Sequence, residues 1–279
     1  MREVHVDTIK SGVAQMCIES CVVIAPGIRR AFEAARERES GVGRLVMENL
    51  LENADVAIRE RMPICQDTGF VVVFVEIGQD CRVVGGALGD AINAGVAQGY
   101  EQGYLRKSVV GCPIERVNTG TNTPAVIHYE IIPGDGLTVH VKAKGFGSEN
   151  MSQLKMLKPS DGLQGIEDLV MKTVIDGDAN PCPPIIVGVG IGGTMEKCAI
   201  IAKKALMREV GSINPDPALA KLEADWLNKI NATGIGPNGM GGKTTAMAVH
   251  IDKFPTHIAG LPVAVNIGCH VTRHGVMNF

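Results

Sequence analysis

Three of the chain's eight cysteines stand in surroundings suited to chemistry. Cys65 lies in Pro63-Ile64-Cys65-Gln66-Asp67-Thr68-Gly69, Cys182 in Asn180-Pro181-Cys182-Pro183-Pro184, and Cys269 in Asn266-Ile267-Gly268-Cys269-His270. Each falls in a loop with hydrogen-bonding residues beside it. Thiols so far apart in sequence serve one centre only if the fold brings three loops together. Three thiolates suit zinc or an iron–sulfur cluster, since both accept soft sulfur ligands. A structural zinc site normally draws on C-x2-C pairs, and the sequence has none. A cubane cluster with three cysteine ligands leaves one iron open to act as a Lewis acid on a bound oxygen. Gln66 and Asp67, next to Cys65, are placed to orient a substrate hydroxyl or carboxylate. Spacing alone leaves these alternatives open.

The other cysteines have plainer explanations. Cys17 and Cys21 lie in the apolar run Met-Cys-Ile-Glu-Ser-Cys-Val-Val-Ile and read as core, where free cysteine is common. Cys198 falls on the apolar face of a helix, and Cys81 sits in a turn between Asp80 and Arg82. Cys112, in Gly111-Cys112-Pro113, is the one candidate for a fourth ligand.

Arg106 and Lys107 form an adjacent cationic pair in Tyr104-Leu105-Arg106-Lys107-Ser108. Such pairs usually sit in solvent, yet an arginine there suits a bidentate grip on a carboxylate. Lys144-Gly145-Phe146-Gly147-Ser148-Glu149-Asn150 is a glycine loop opening a helix, an arrangement that binds anions, although most such loops are only caps. Two nucleotide-like motifs fail on context. Gly188-Val189-Gly190-Ile191-Gly192-Gly193 matches G-x-G-x-x-G, but its helix leads to another helix and not to a second strand with an acidic residue. The segment from Gly236 to Thr244 resembles a P-loop with Pro237 in the place of its first glycine, and no strand feeds it.

Periodicity predicts the elements that position these residues. Apolar spacing predicts helices over 5–24, from Pro26 to about residue 40, and over 42–61. A buried strand is expected over 70–77 and a closely packed Gly/Ala-rich helix over 85–103. Alternating segments over 126–132 and 137–144 flank Pro133-Gly134-Asp135-Gly136 and predict a hairpin. A short helix is expected after Gly145, ending near Pro159, then a helix over 161–177 and a strand over 184–190. Helices over 193–211 and 217–231 and strands over 245–251 and 261–267 follow. No linker, repeat or low-complexity tract intervenes. The expectation is mixed α/β: a single domain, 1–279, of alternating helices and mostly buried strands with three cysteine-bearing loops converging on a cluster site.

Composition narrows the classes further. With 45% hydrophobic and 20% charged residues, the chain can bury a sizeable core. A net charge of -3 and only 4% aromatics argue against a nucleic-acid surface. Arg2, Glu3, Asp7 and Lys10 interrupt any leader-like run, and no membrane-spanning stretch is expected. A cytoplasmic location follows, where cysteines serve as thiols or metal ligands more often than as disulfides.

Seven blocks in order carry a resemblance covering nearly the whole chain: PICQDTG (63–69), YLRKSVV (104–110), NTGTNTPA (118–125), KGFGSEN (144–150), NPCPPIIVGVGIGG (180–193), GIGPNGMGG (234–242) and HIAGLPVAVNIGCH (257–270). The chain resembles the alpha subunit, or N-terminal domain, of the class I iron–sulfur fumarate hydratases and the related L-tartrate dehydratases. The resemblance implies a [4Fe-4S] cluster held by Cys65, Cys182 and Cys269, with one open iron. It implies substrate contacts at Gln66, Asp67, Arg106, Gly147 and His257, of which Asp67, Arg106 and His257 would be catalytic. Phe146 and Thr121 depart from the glycine and aspartate commoner there, which touches substrate shape and not the chemistry. The implied reaction is reversible hydration of fumarate to L-malate, a step of the tricarboxylic acid cycle. The catalytic base, a threonine, would come from a separate beta subunit in an α2β2 heterotetramer, so this chain alone would be nearly inactive. The nearest alternative is an L-tartrate dehydratase alpha subunit, forming oxaloacetate. Alternatives of another class are an iron–sulfur electron carrier, which would want a fourth ligand, and a zinc-structured interaction subunit.

Overall fold

Along the chain the elements are β1 (Arg2–His5), α1 (Val6–Val22), α2 (Pro26–Arg38), α3 (Gly41–Glu60), β2 (Phe70–Gly78), β3 (Cys81–Val84) and α4 (Leu88–Gln102). Then come β4 (Val126–Ile132), β5 (Leu137–Lys144), the single turn α5 (Phe146–Glu149), β6 (Gln153–Leu157), α6 (Gly162–Gly177), β7 (Ile185–Gly192) and α7 (Met195–Ala205). The last are α8 (Pro217–Asn231), β8 (Ala246–Phe254), β9 (Leu261–Gly268) and β10 (Arg273–Asn278). This is the mixed α/β composition that the sequence predicts. The structure, a computed structural model, describes residues 2–279. It divides into two compact units, each with its own four-stranded sheet.

The first unit takes the residues up to Ile24, Ala54–Phe146 and Arg273–Phe279. Its sheet runs β10-β5-β2-β4, with β2 parallel to β4 and antiparallel to β5. Val71, Val73 and Val75 alternate to one face of β2 and meet Val139 and Val141 of β5, as the two-residue strand period requires. Over that face lie Ile9, Val13 and Cys17 of α1 with Ile92, Val96 and Tyr100 of α4. The two helices approach closely because Gly95 and Gly99 of α4 and its C-cap, Gly103, recur every four residues. A Cβ at Gly95 would lie 2.6 Å from the Lys10 carbonyl oxygen, and one at Gly99 2.8 Å from that of Ala14.

The second unit takes Ala25–Asn53 and Gly147–Thr272. Its sheet runs β6-β9-β7-β8, with β7 parallel to β8 and antiparallel to β9. One face packs Val187, Val189, Ile251, Val263 and Val265 against Val170 and Val174 of α6 and Trp226 and Ile230 of α8. Trp226 is fully buried, and its indole N–H donates to Glu167 at 3.0 Å, which satisfies the polar end of a large core side chain. Helix α8 starts where Asp216 accepts from the Ala218 amide at 2.9 Å ahead of Pro217, a common N-cap pairing.

Several expectations are corrected. Segments 126–132 and 137–144 are both strands but not a hairpin, because β2 lies between them and pairs with each. Cys81 starts strand β3, paired in parallel with β1. The helix after Gly145 is one turn and gives way to β6, an edge strand whose Leu154, Lys155 and Met156 are all exposed. With no buried alternation, only pairing to β9 reveals it. Helix α7 ends at Ala205 rather than near residue 211. A stretch within Val6–Arg38 is long and apolar enough to cross a membrane, but most of it is buried inside the protein. Between α1 and α2, Val23 is extended and ends the first helix. The run therefore reads as core.

Candidate active site

In the first unit, Cys65, Gln66 and Asp67 ride on the loop between α3 and β2, and the loop's backbone is held from several sides. The Ile64 amide donates to the Cys21 carbonyl at 2.9 Å, and Tyr100 donates its hydroxyl to the carbonyls of Thr68 at 2.7 Å and Gly69 at 3.0 Å. Gly69 adopts φ +85°, and a Cβ there would lie 2.8 Å from the Ala143 carbonyl carbon and the Lys144 nitrogen. Only glycine fits both demands. The Asp67 carboxylate accepts from the amides of Gly69 at 3.0 Å and Phe146 at 2.9 Å. Thr68 donates its hydroxyl to the Arg106 carbonyl at 3.0 Å, which brings the Arg106 segment to this loop. Arg106 itself is exposed, Cys65 and Asp67 half-buried.

In the second unit, the loops carrying Cys182 and Cys269 meet. The Cys182 carbonyl accepts from the His270 amide at 3.3 Å and from its Nδ1 at 2.9 Å. A carbonyl can only accept, so Nδ1 carries the hydrogen. Cys182 sits at φ +57° in the turn before β7, and its side chain is exposed. Cys269 follows β9 directly and is half-buried. Gly147 is at the same end of the sheet: a Cβ there would lie 3.5 Å from the Asn180 carbonyl oxygen. Behind it, Glu149 pairs with Lys203 and accepts from the Asn266 amide group at 3.0 Å.

The two nucleotide-like motifs find structural roles. Gly188 and Gly190 let α7 lie against β7, since a Cβ at either would come within 2.3 or 2.1 Å of the Ala202 or Cys198 carbonyl oxygen. In the P-loop-like turn, the Lys243 amide donates to both oxygens of buried Glu39, at 2.8 and 3.1 Å. The backbone donor that a phosphate would want is engaged with the protein's own carboxylate.

The family described as fumarate hydratase (Fumerase) matches residues 10–278. The chain belongs to the fumarate hydratase family. A protein of Methanocaldococcus jannaschii, provisionally named L(+)-tartrate dehydratase subunit alpha, is 37% identical over 280 residues, covering 96% of each chain. The L(+)-tartrate dehydratase alpha subunits of Escherichia coli K12 and Shigella boydii are each 33% identical over 242 residues, covering 85% of this chain and 79% of theirs. This family member is a hydro-lyase alpha-type chain.

Of its cysteines, none is in a disulfide. Burial pushes the Cys21 thiol up to about 11, and Cys17 and Cys198 are also raised by burial, so these three stay neutral thiols at neutral pH. Cys112 is lowered by the backbone N–H groups of Glu115 and Ile114. Among the described residues, no three His, Cys, Asp or Glu side chains gather tightly enough to hold a single metal ion. Ligands of a multinuclear cluster bond to different irons and stand farther apart, so that geometry bears on zinc more than on a cubane.

His257 lies elsewhere. It sits on the loop between β8 and β9, beside Thr256, Lys197 and Phe254 in a cleft of about 580 Å³. Cys182 and Cys269 flank the Ile186–Gly268 register pair, whereas this loop follows the Gly192–Phe254 pair. Six strand residues separate the two, roughly 20 Å at the usual rise. Sequence reasoning missed Arg273, a buried cation bonded to the Asp67 carbonyl. Its only sequence signal was an arginine four residues after Cys269.

Proposed function

We propose that residues 1–279 act as the catalytic alpha-subunit domain of a two-subunit [4Fe-4S] hydro-lyase that hydrates fumarate reversibly to L-malate. Cys65, Cys182 and Cys269 would hold the cluster. The observation that carries this is the junction through His270 of the Cys182 and Cys269 loops, with Cys65 on the loop of Asp67, to which the Arg106 segment is hydrogen-bonded through Thr68. The donor set fits: three accessible loop thiols, while Cys17, Cys21 and Cys198 are buried. When bound, the cluster supplies a Lewis-acidic iron lacking a protein ligand.

The chain's own residues then bind and orient the diacid. Arg106 pairs with a substrate carboxylate and stabilises the charge that develops when the proton beside it leaves. Asp67, its carboxylate fixed by two amides, accepts a hydrogen bond from the substrate hydroxyl, and Gln66 and Gly147 add contacts. His257 is too far along the sheet to reach the Cys182–Cys269 end of its own second unit. It therefore serves the site of a second alpha chain. A beta subunit supplies the base and further cations, completing an α2β2 enzyme of the cytoplasm. The relatives' designation as alpha subunits supports a second kind of chain.

A second reading is L-tartrate dehydration to oxaloacetate, favoured by the names of those relatives. The test is anaerobic reconstitution with iron and sulfide, alone and with the beta subunit, for wild type and Cys182→Ser. About four irons per chain, a three-iron EPR signal after mild oxidation, and loss of both in the variant are expected. The ratio of kcat/KM for fumarate and L-tartrate then chooses the substrate. Zinc, or a cluster indifferent to Cys182, would discard the proposal.

A further inference from the structure

Arg273 is 2% exposed, a guanidinium inside the first unit at the start of β10. A buried cation is costly unless its donors are used. Its Nη1 donates to the backbone carbonyl of Asp67. Its Nη2 and the Asp67 Oδ2 both lie 3.1 Å from the point a Cβ on Gly145 would occupy. The guanidinium and the carboxylate thus flank the same backbone, and any side chain at 145 would intrude between them. Asp67 is consequently held at both ends. Its carbonyl is bound by Arg273, and its carboxylate oxygens are bound separately by the Gly69 and Phe146 amides. Lysine carries the charge but not the planar fork that holds two directions at once.

We infer that Arg273 is a positioning residue that fixes Asp67, and with it the Cys65–Gly69 loop, in the orientation the diacid requires. The assignment rests on the proposed function for what Asp67 binds, but the geometry it asserts is independent of that reading.

The test uses the alpha chain and the reconstituted alpha–beta complex with Arg273→Lys and Arg273→Met. In the alpha chain, amide hydrogen exchange of the 64–69 and 145–147 peptides should quicken at least tenfold in both variants, while peptides from α4 and β5 keep wild-type protection. In the complex, Arg273→Lys should lower kcat/KM for the diacid at least tenfold with an unchanged cluster content. Unchanged exchange at 64–69 would overturn the inference. So would loss of protection throughout the first unit in both variants, which would make Arg273 a structural residue only. Local loosening in a complex whose wild type turns over neither fumarate nor L-tartrate would support the inference while removing the proposed function.

Discussion

His270 Nδ1 lies 2.9 Å from the carbonyl oxygen of Cys182, joining the residue after Cys269 to a loop 88 positions earlier. This bond and that of the His270 amide tie the two cysteine loops together. Replacing His270 with alanine should leave the fold standing, at a cost of about 1 kcal/mol for a lost hydrogen bond. It should reduce cluster occupancy well below wild type. Iron and sulfide analysis after anaerobic reconstitution, beside a thermal melt, checks this. Full occupancy would show that the tie is not needed.

Alkylation should sort the cysteines. In the metal-free chain, iodoacetamide with peptide mass spectrometry should label Cys112 and Cys182 first, because Cys112 is held below the usual thiol range by backbone N–H groups and Cys182 is exposed. Cys17, Cys21 and Cys198 should label only on unfolding, since burial keeps them protonated and covered. Reconstitution should protect Cys65, Cys182 and Cys269 but leave Cys112 reactive. Protection of Cys112 would make it a ligand.

If His257 acts in a second copy's site, mutants should complement each other. His257→Ala and Cys182→Ser chains, each inactive with the beta subunit, should regain part of the wild-type activity when co-assembled. Activity that stays absent in a demonstrated mixed assembly would place His257 in the site of its own chain, and full activity of His257→Ala alone would place it outside the site.

Gly69→Ala combines a disfavoured φ with a contact 2.8 Å from backbone atoms that cannot move aside. A loss of more than about 2 kcal/mol is expected, read as a lower urea midpoint at unchanged slope. A midpoint within error of wild type would refute the steric argument.

Glu223 gives the second unit a predictable acid limb. Burial pushes its carboxyl upward, but Arg208, the Ile251 amide and Asn214 outweigh burial and hold it below the model-compound value of 4.5. The folded state then binds fewer protons than the unfolded chain. The stability contribution is full above the unfolded value and drains as pH falls through the folded one. Urea midpoints should decline below about pH 4.5. Glu223→Gln should flatten that decline and cost about 2 kcal/mol at pH 7 by leaving Arg208 poorly paired.

Much of this protein was legible in the chain. Helices α1, α3 and α8 and strands β2, β7 and β9 follow apolar periods and end signals that are local, so the sequence places them within a residue or two. The loop position of Cys182 and the burial of Cys17 and Cys21 followed equally from their immediate neighbours. Pairing did not follow. Nothing local in 126–144 shows that β2 enters between the two strands, because the turn chemistry of Pro133-Gly134-Asp135-Gly136 is the same whether its flanks pair with each other or with a third strand. Edge strands β6 and β10 carry little alternation for the same reason: their partners, and not their own side chains, make them strands. The chemistry-bearing residue types are set by sequence. Which of them share an end of a sheet, as Gly147, Cys182 and Cys269 do and His257 does not, depends on register and strand direction, and these exist only once distant segments hydrogen-bond.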